Sequence, residues 1–482
     1  MNKRSLGLIR CIWVGIAAVL MVSAPVAVLG QTTDEFGTVG PDLLQTLGVG
    51  SRSVAMGNAY SAIADDPSAT FWNPGRLGVL GRRQMMLHFR PGLETTSKVN
   101  WFKPLAGAES FSQSLDRKAG GLQPTFASFV YPLTDQRSGS AGTIGVSYTL
   151  GGYFNLDATR IRTVGSVADI TSFAETMDHD FQLMRNSYLT VAYGHQWSPL
   201  RNRVGTLGAG IAYYRVTADF QSEHQTRTTA WDQTLNQQVT SITDTQRVDR
   251  GTGDGFVAGV YYQTGIPSQS GLADAPPGPD GKTLSVSSTA WSFAACYRSG
   301  ATLNGMGFGA STVSEIPDRV SLGVAYNSFF PGQAESGGSR DRIVIAGEVQ
   351  RFGSANSPAQ TDFREAVTNL HLGLEWIPSK PLFSIPKERR YETPIRLGFR
   401  TNESAVRYAF SENVLSGGIA FIRKGENDAK VLTIEPTVEY FTKSKVWFAN
   451  LTFQMALDAV VRTSGGDDRP TSGGRAGSES SP

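Results

Sequence analysis

Cysteine, histidine and charge are all scarce in this 482-residue chain, and each scarcity excludes something. It has two cysteines. Cys11 falls in an N-terminal run that reads as an export leader, which leaves Cys296 with neither a disulfide partner nor the neighbours of a cysteine metal cluster. The five histidines, His88, His179, His195, His224 and His371, are scattered with no two at metal-ligand spacing. No Gly-x-Ser-x-Gly elbow, Walker loop, dinucleotide fingerprint or His-Glu-x-x-His pair occurs, so no enzyme and no cofactor is expected. A Ser–His pair assembled across strands is the enzymatic alternative, and an esterase assay would reveal it. A formal net charge of +2 argues against nucleic acid as a partner. Beyond the leader no apolar run is long enough for a spanning helix. If the chain crosses a membrane, it does so with strands.

The leader itself has Lys3, Arg4 and Arg10 ahead of an apolar run from Cys11 to Leu29, with small residues near Gly30. This is signal-peptide chemistry, with residues 1–30 expected to be removed. An uncleaved membrane helix is the rival reading.

The bulk of the chain alternates apolar with polar residues. Leu370, Leu372, Leu374 and Trp376 point one way while His371, Gly373 and Glu375 point the other. Ile395, Leu397 and Phe399 alternate in the same way with Arg396, Gly398 and Arg400. Side chains on a strand alternate faces, so such segments build a sheet with one greasy and one charged side. Strands are expected near 84–89, 122–131, 142–153, 187–197, 204–219, 255–264, 284–298, 318–327, 341–352, 367–377, 393–401, 416–423, 431–441 and 445–457. Fourteen is an even number, as bacterial single-chain barrels require. Aromatics gather near strand ends, as interfacial girdles do. The pattern predicts an all-β transmembrane antiparallel barrel over residues 83–457, with lipid outside and water inside. Connections near 90–121, 154–186 and 220–254 read as long polar loops, and those near 132–141 and 198–203 as short turns. That asymmetry puts the N-terminus on the periplasmic side. A soluble sandwich or propeller is the competing architecture.

Between leader and barrel lies a segment of another kind, rich in small residues. It contains Gly50, Arg52, Met56, Gly57, Asp65, Asp66, Trp72, Asn73, Pro74 and Leu77. This pattern resembles the N-terminal signature of the FadL/TodX superfamily of outer-membrane proteins, most of all its PorV/PorQ-type branch. Gly75 stands where that family usually has alanine. The resemblance implies a fourteen-stranded barrel whose bore is stopped by a hatch, here residues 31–82. It also implies passive transport of hydrophobic molecules such as long-chain fatty acids across the outer membrane of a Gram-negative-type bacterium. The partners would be outer-membrane lipid and a hydrophobic ligand. The PorV branch implies the alternative, a scaffold that meets proteins of a type IX secretion system. Two further expectations concern the wall. Gly151 and Gly152 form either a bulge that interrupts pairing, where the resemblance places a lateral opening, or a flexible strand end. Glu375 and Arg396 share lumen-facing parity on consecutive strands and either pair across the ladder or stand solvated. Residues 458–482 read as a polar, disordered tail.

Overall fold

The computed structural model describes residues 48–457 apart from 104–109, 134–140, 167–168, 198–204, 233, 236, 265–288, 305–314, 330–340, 358–359, 365, 380–381, 383–390, 404–411, 425–429 and 444. The expected leader and tail, and residues 31–47 of the expected hatch, lie outside the described residues.

Among the described residues, fourteen antiparallel strands form one closed barrel in simple chain order. They are β1 (Gln84–Lys103), β2 (Ser110–Pro132), β3 (Thr143–Ser166), β4 (Asp169–Trp197), β5 (Thr206–Asp232), β6 (Gln237–Gln263) and β7 (Thr289–Arg298). The second half comprises β8 (Arg319–Phe329), β9 (Arg342–Phe352), β10 (Val367–Ile377), β11 (Ile395–Asn402), β12 (Glu412–Ile419), β13 (Lys430–Phe441) and β14 (Val446–Ala456). Gln84–Phe89 of β1 pair with Leu451–Ala456 of β14, so the last strand returns to the first. Closure removes both sheet edges and satisfies the backbone where water is absent.

Burial follows the alternation. Leu189, Val191 and Tyr193 on β4, Val320, Leu322 and Val324 on β8, and Trp447 and Phe453 on β14 face outward and are exposed. Their inward neighbours Thr190, Ser321, Asn450 and Thr452 are buried. An exposed apolar band this continuous is what hydrocarbon requires and water penalises. Aromatics mark its rims: Trp197 and Trp291 at one, and Phe256, Tyr297, Tyr440 and Trp447 at the other. On β4 the band runs from Leu189 to Trp197, roughly 20–25 Å along a tilted strand.

Two expectations are corrected. The described residues of the stretches 90–121, 154–186 and 220–254 are not loops but mostly strand. They continue β1–β6 as long hairpins, with Ala174–Trp197 of β4 paired residue for residue against Leu207–Ala230 of β5. These strands have 20 to 29 residues, where about ten suffice to cross a bilayer. Their outer halves are polar on both faces, as in Gln237-Gln238-Val239-Thr240-Ser241. Apolar alternation therefore ends before the strand does, while threonine and valine keep the extended backbone favourable. The bore is also not lined by water alone, because residues 48–80 lie inside it against opposite walls.

The wall has one irregularity. β2 pairs with β3 only from Phe126↔Thr149 to Pro132↔Thr143. Beyond that, β3 shifts register against β4 between Leu150 and Gly152, a bulge at Gly151. Farther out, Phe154–Val164 of β3 pair in parallel with Leu93–Lys103 of β1 instead of with β2.

The belt makes a direct prediction. Leu322→Arg, on the outward face, should cost about 2–4 kcal/mol of folding stability in bilayers. Urea titration in liposomes reads the loss.

Candidate functional site

The inner segment is a chain of short turns: α1 (Ser51–Ala55), α2 (Ala69–Trp72) and a 3₁₀ turn at Pro74–Val79. Gly50 and Gly57 flank α1 with φ of 85° and 62°, a backbone region that favours glycine. Small residues let the segment pass close to the wall. Gly398 of β11 leaves its space to the Gly57 amide, and a Cβ on Gly57 would meet the backbone of Leu372 and Phe399. On the opposite wall Gly194, Gly210 and Gly259 make room for Asn73 and Pro74.

Asn73-Pro74 is an anchoring turn. The Asn73 amide donates to the carbonyls of Ser61 (3.1 Å) and Val260 (3.2 Å), and its Oδ1 accepts from the Gly75 N–H at 3.0 Å. Trp72 Nε1 donates to the Val49 carbonyl at 2.9 Å, tying the end of α2 to the start of the segment. Met56 is fully buried against Gly373 of β10. At β13 and β14, Ser51 N–H donates to Thr452 Oγ1 at 2.8 Å, and Thr437 donates to the Ser51 carbonyl at 3.1 Å.

Arg52 is the electrostatic centre. Its Nε and Nη2 reach the two oxygens of Glu375 at 2.9 and 3.0 Å, a bidentate pair, and its Nη1 bonds Asp65. Glu375 and Arg396 are direct cross-strand partners with Nε–Oε2 of 2.6 Å, and Arg396 continues to Glu435 at 3.0 Å. Arg342 stands 3.8 Å from Glu375, and Lys430 stands 3.9 Å from Asp65. Of the two alternatives the pair is the one found, and both side chains are buried. It serves a third party, the inner segment, which neither strand could reveal alone.

Asp65 and Asp66 diverge despite adjacency. Burial pushes Asp65 up, but Arg52, then Lys430 and Arg76, hold its carboxyl well below the usual range. Burial and then the Asp65 charge push Asp66 up. Three donors converge on Asp66: the Tyr60 hydroxyl at 2.6 Å, the Ser68 N–H at 2.9 Å and the Ser68 hydroxyl at 2.5 Å. The Tyr60 and Ser61 N–H groups both donate to Glu348 of β9, at 2.9 and 2.8 Å.

Every residue of the signature therefore lies in the segment or anchors it to the wall, and Glu375 and Arg396 join it. Gly151 and Gly152 lie apart, at the wall irregularity. Sequence reasoning missed Arg342 and Lys430, and toward the other strand ends Arg298 and Arg319. Arg298 donates to the Phe71 carbonyl at 2.9 Å. Strand parity was the available signal, since each barrel arginine shares a face with buried polar neighbours.

No protein-family model and no curated protein matches the sequence. Among solved structures, the chain is similar to the Pseudomonas putida toluene transporter TodX at 12% identity, with a TM-score of 0.43, covering 85% of this chain and 99% of that one. It is similar to the Ralstonia pickettii toluene transporter TbuX at 14% identity, with a TM-score of 0.39 and coverage of 85% and 98%. It is also similar to a Pseudomonas aeruginosa FadL homologue at 9% identity, with a TM-score of 0.39 and the same coverage.

Removing Arg52 leaves Glu375 with Arg396 but takes from Asp65 its direct partner, with Lys430 at 3.9 Å the nearest remaining cation among the described residues. Arg52→Ala should destabilise the seated segment by about 3–5 kcal/mol, the cost of breaking a buried ion pair on one side. Limited proteolysis should then cut within residues 48–80 while the barrel keeps its heat-modifiable gel mobility.

Proposed function

We propose that this chain is an outer-membrane channel that passes hydrophobic small molecules down their gradient. In this reading the inner segment acts as the hatch and the N-terminus lies in the periplasm. The signature Gly50 to Pro74, the leader-like N-terminal sequence and the lipid-facing barrel support it. The observation that carries it is the pairing defect between β2 and β3, beside a bore that residues 48–80 occupy. A hydrophobic solute stopped above such a plug gains by leaving sideways into lipid instead of crossing water. Gly151 and Gly152 are the proposed lateral opening, because the bulge between Leu150 and Gly152 lies just beyond the last β2–β3 ladder pair.

Two experiments test this. Deleting residues 31–82 should leave an assembled barrel with raised conductance in planar bilayers, and unchanged current would count against a hatch. Deleting Gly151 should restore continuous register, cut uptake of labelled fatty acid severalfold and leave ionic conductance unchanged. Undiminished uptake would remove the lateral route. A knockout that loses secreted proteins but keeps uptake would favour the secretion-scaffold reading.

A further inference from the structure

Two arginines in the bore have no carboxylate at ion-pair distance among the described residues, and only the more distant charge of Glu348 reaches Arg319. Arg298 ends β7 and Arg319 begins β8, and the ladder sets them directly opposite each other. Each is 2% exposed. Like charges at facing positions repel, and a buried guanidinium lacking a counter-charge is unfavourable. Glu348 on the neighbouring strand spends its oxygens on the N–H groups of Tyr60 and Ser61 and on the Gln350 amide. Nε of Arg298 and both Nη atoms of Arg319 find no acceptor among the described residues.

Phe71 of the inner segment lies against the pair. Its carbonyl accepts from Arg298 Nη2 at 2.9 Å. Its ring centroid is 4.5 Å from the Arg298 guanidinium and 5.4 Å from that of Arg319. Tyr214 lies 5.3 Å from Arg298, and Trp72 lies 5.9 Å from Arg319. One residue thus offers a benzene ring and an oxygen acceptor to two cations. A carbonyl carries only partial charge and leaves the remaining N–H groups unmatched. An aryl carboxylate has the same ring and oxygen together with a full charge and a second oxygen, which suits guanidinium forks.

We propose that Arg298 and Arg319 form a binding site for the carboxylate of a small aromatic acid, which enters by displacing Phe71 and thereby loosens the inner segment. This rests on the gated-channel reading and narrows its substrate class. Calorimetric titration of the full chain in detergent tests it, with benzoate, phenylacetate, toluene and octanoate as probes. The two aromatic acids should bind, and Arg298→Gln and Arg319→Gln should each weaken them about tenfold or more. Phe71→Ala should tighten them by removing the competing ring, a gain that a merely structural role for the arginines does not explain. It also serves as the test if the arginine variants do not assemble. Octanoate or toluene binding as tightly as benzoate would overturn the proposal, as would benzoate affinity indifferent to the arginines or weakened by Phe71→Ala. Liposome uptake separates the two readings: binding without permeation leaves the site and sinks the channel. Toluene permeation with no preference for aromatic acids leaves the channel and sinks the site.

Discussion

A guanidinium taken out of water is costly without a counter-charge, and Arg52 finds two, Glu375 and Asp65. The rest of the bore is organised around that demand. Glu375 is shared with Arg396, which in turn is shared with Glu435, so the inner segment is wired into three wall strands at once. Losing a member upsets the balance of buried charge in a low dielectric, which is why such a lattice specifies one seating of the segment. Hydrogen bonds alone would tolerate sliding. Bidentate ion pairs fix register.

The seat is also steric. Wall glycines on opposite sides, Gly398 on one and Gly210 and Gly259 on the other, let the segment touch bare backbone. Glycine inside a strand weakens it, so its presence here reflects close approach. Outside, the same strands carry the apolar band, and two-residue periodicity serves both surfaces at once. Long hairpins above the band add polar surface without altering the closure below.

Much of this was legible in the chain. All fourteen strands were, because a lipid-facing side and a polar side write a period-two pattern into each crossing. The segment from Gly50 to Pro74 stood out through its small residues and its Asn-Pro turn. Glu375 and Arg396 were placed on one face by parity. The outer halves of β1–β6 were not legible, since strands wet on both faces carry no apolar alternation. Nor was the burial of Glu375 and Arg396: a charge facing water and a charge facing the inner segment look alike in one dimension. Arg298 and Arg319 escaped for a related reason, as their juxtaposition depends on the register of β7 against β8.

Seating of the segment inside the barrel by the Arg52 lattice is the central claim. Hydrogen–deuterium exchange of the full chain in detergent reads it directly, peptide by peptide. Amides of residues 50–76 should be protected to a degree comparable with the barrel strands. Exchange of that stretch within seconds, beside a protected barrel, would contradict it.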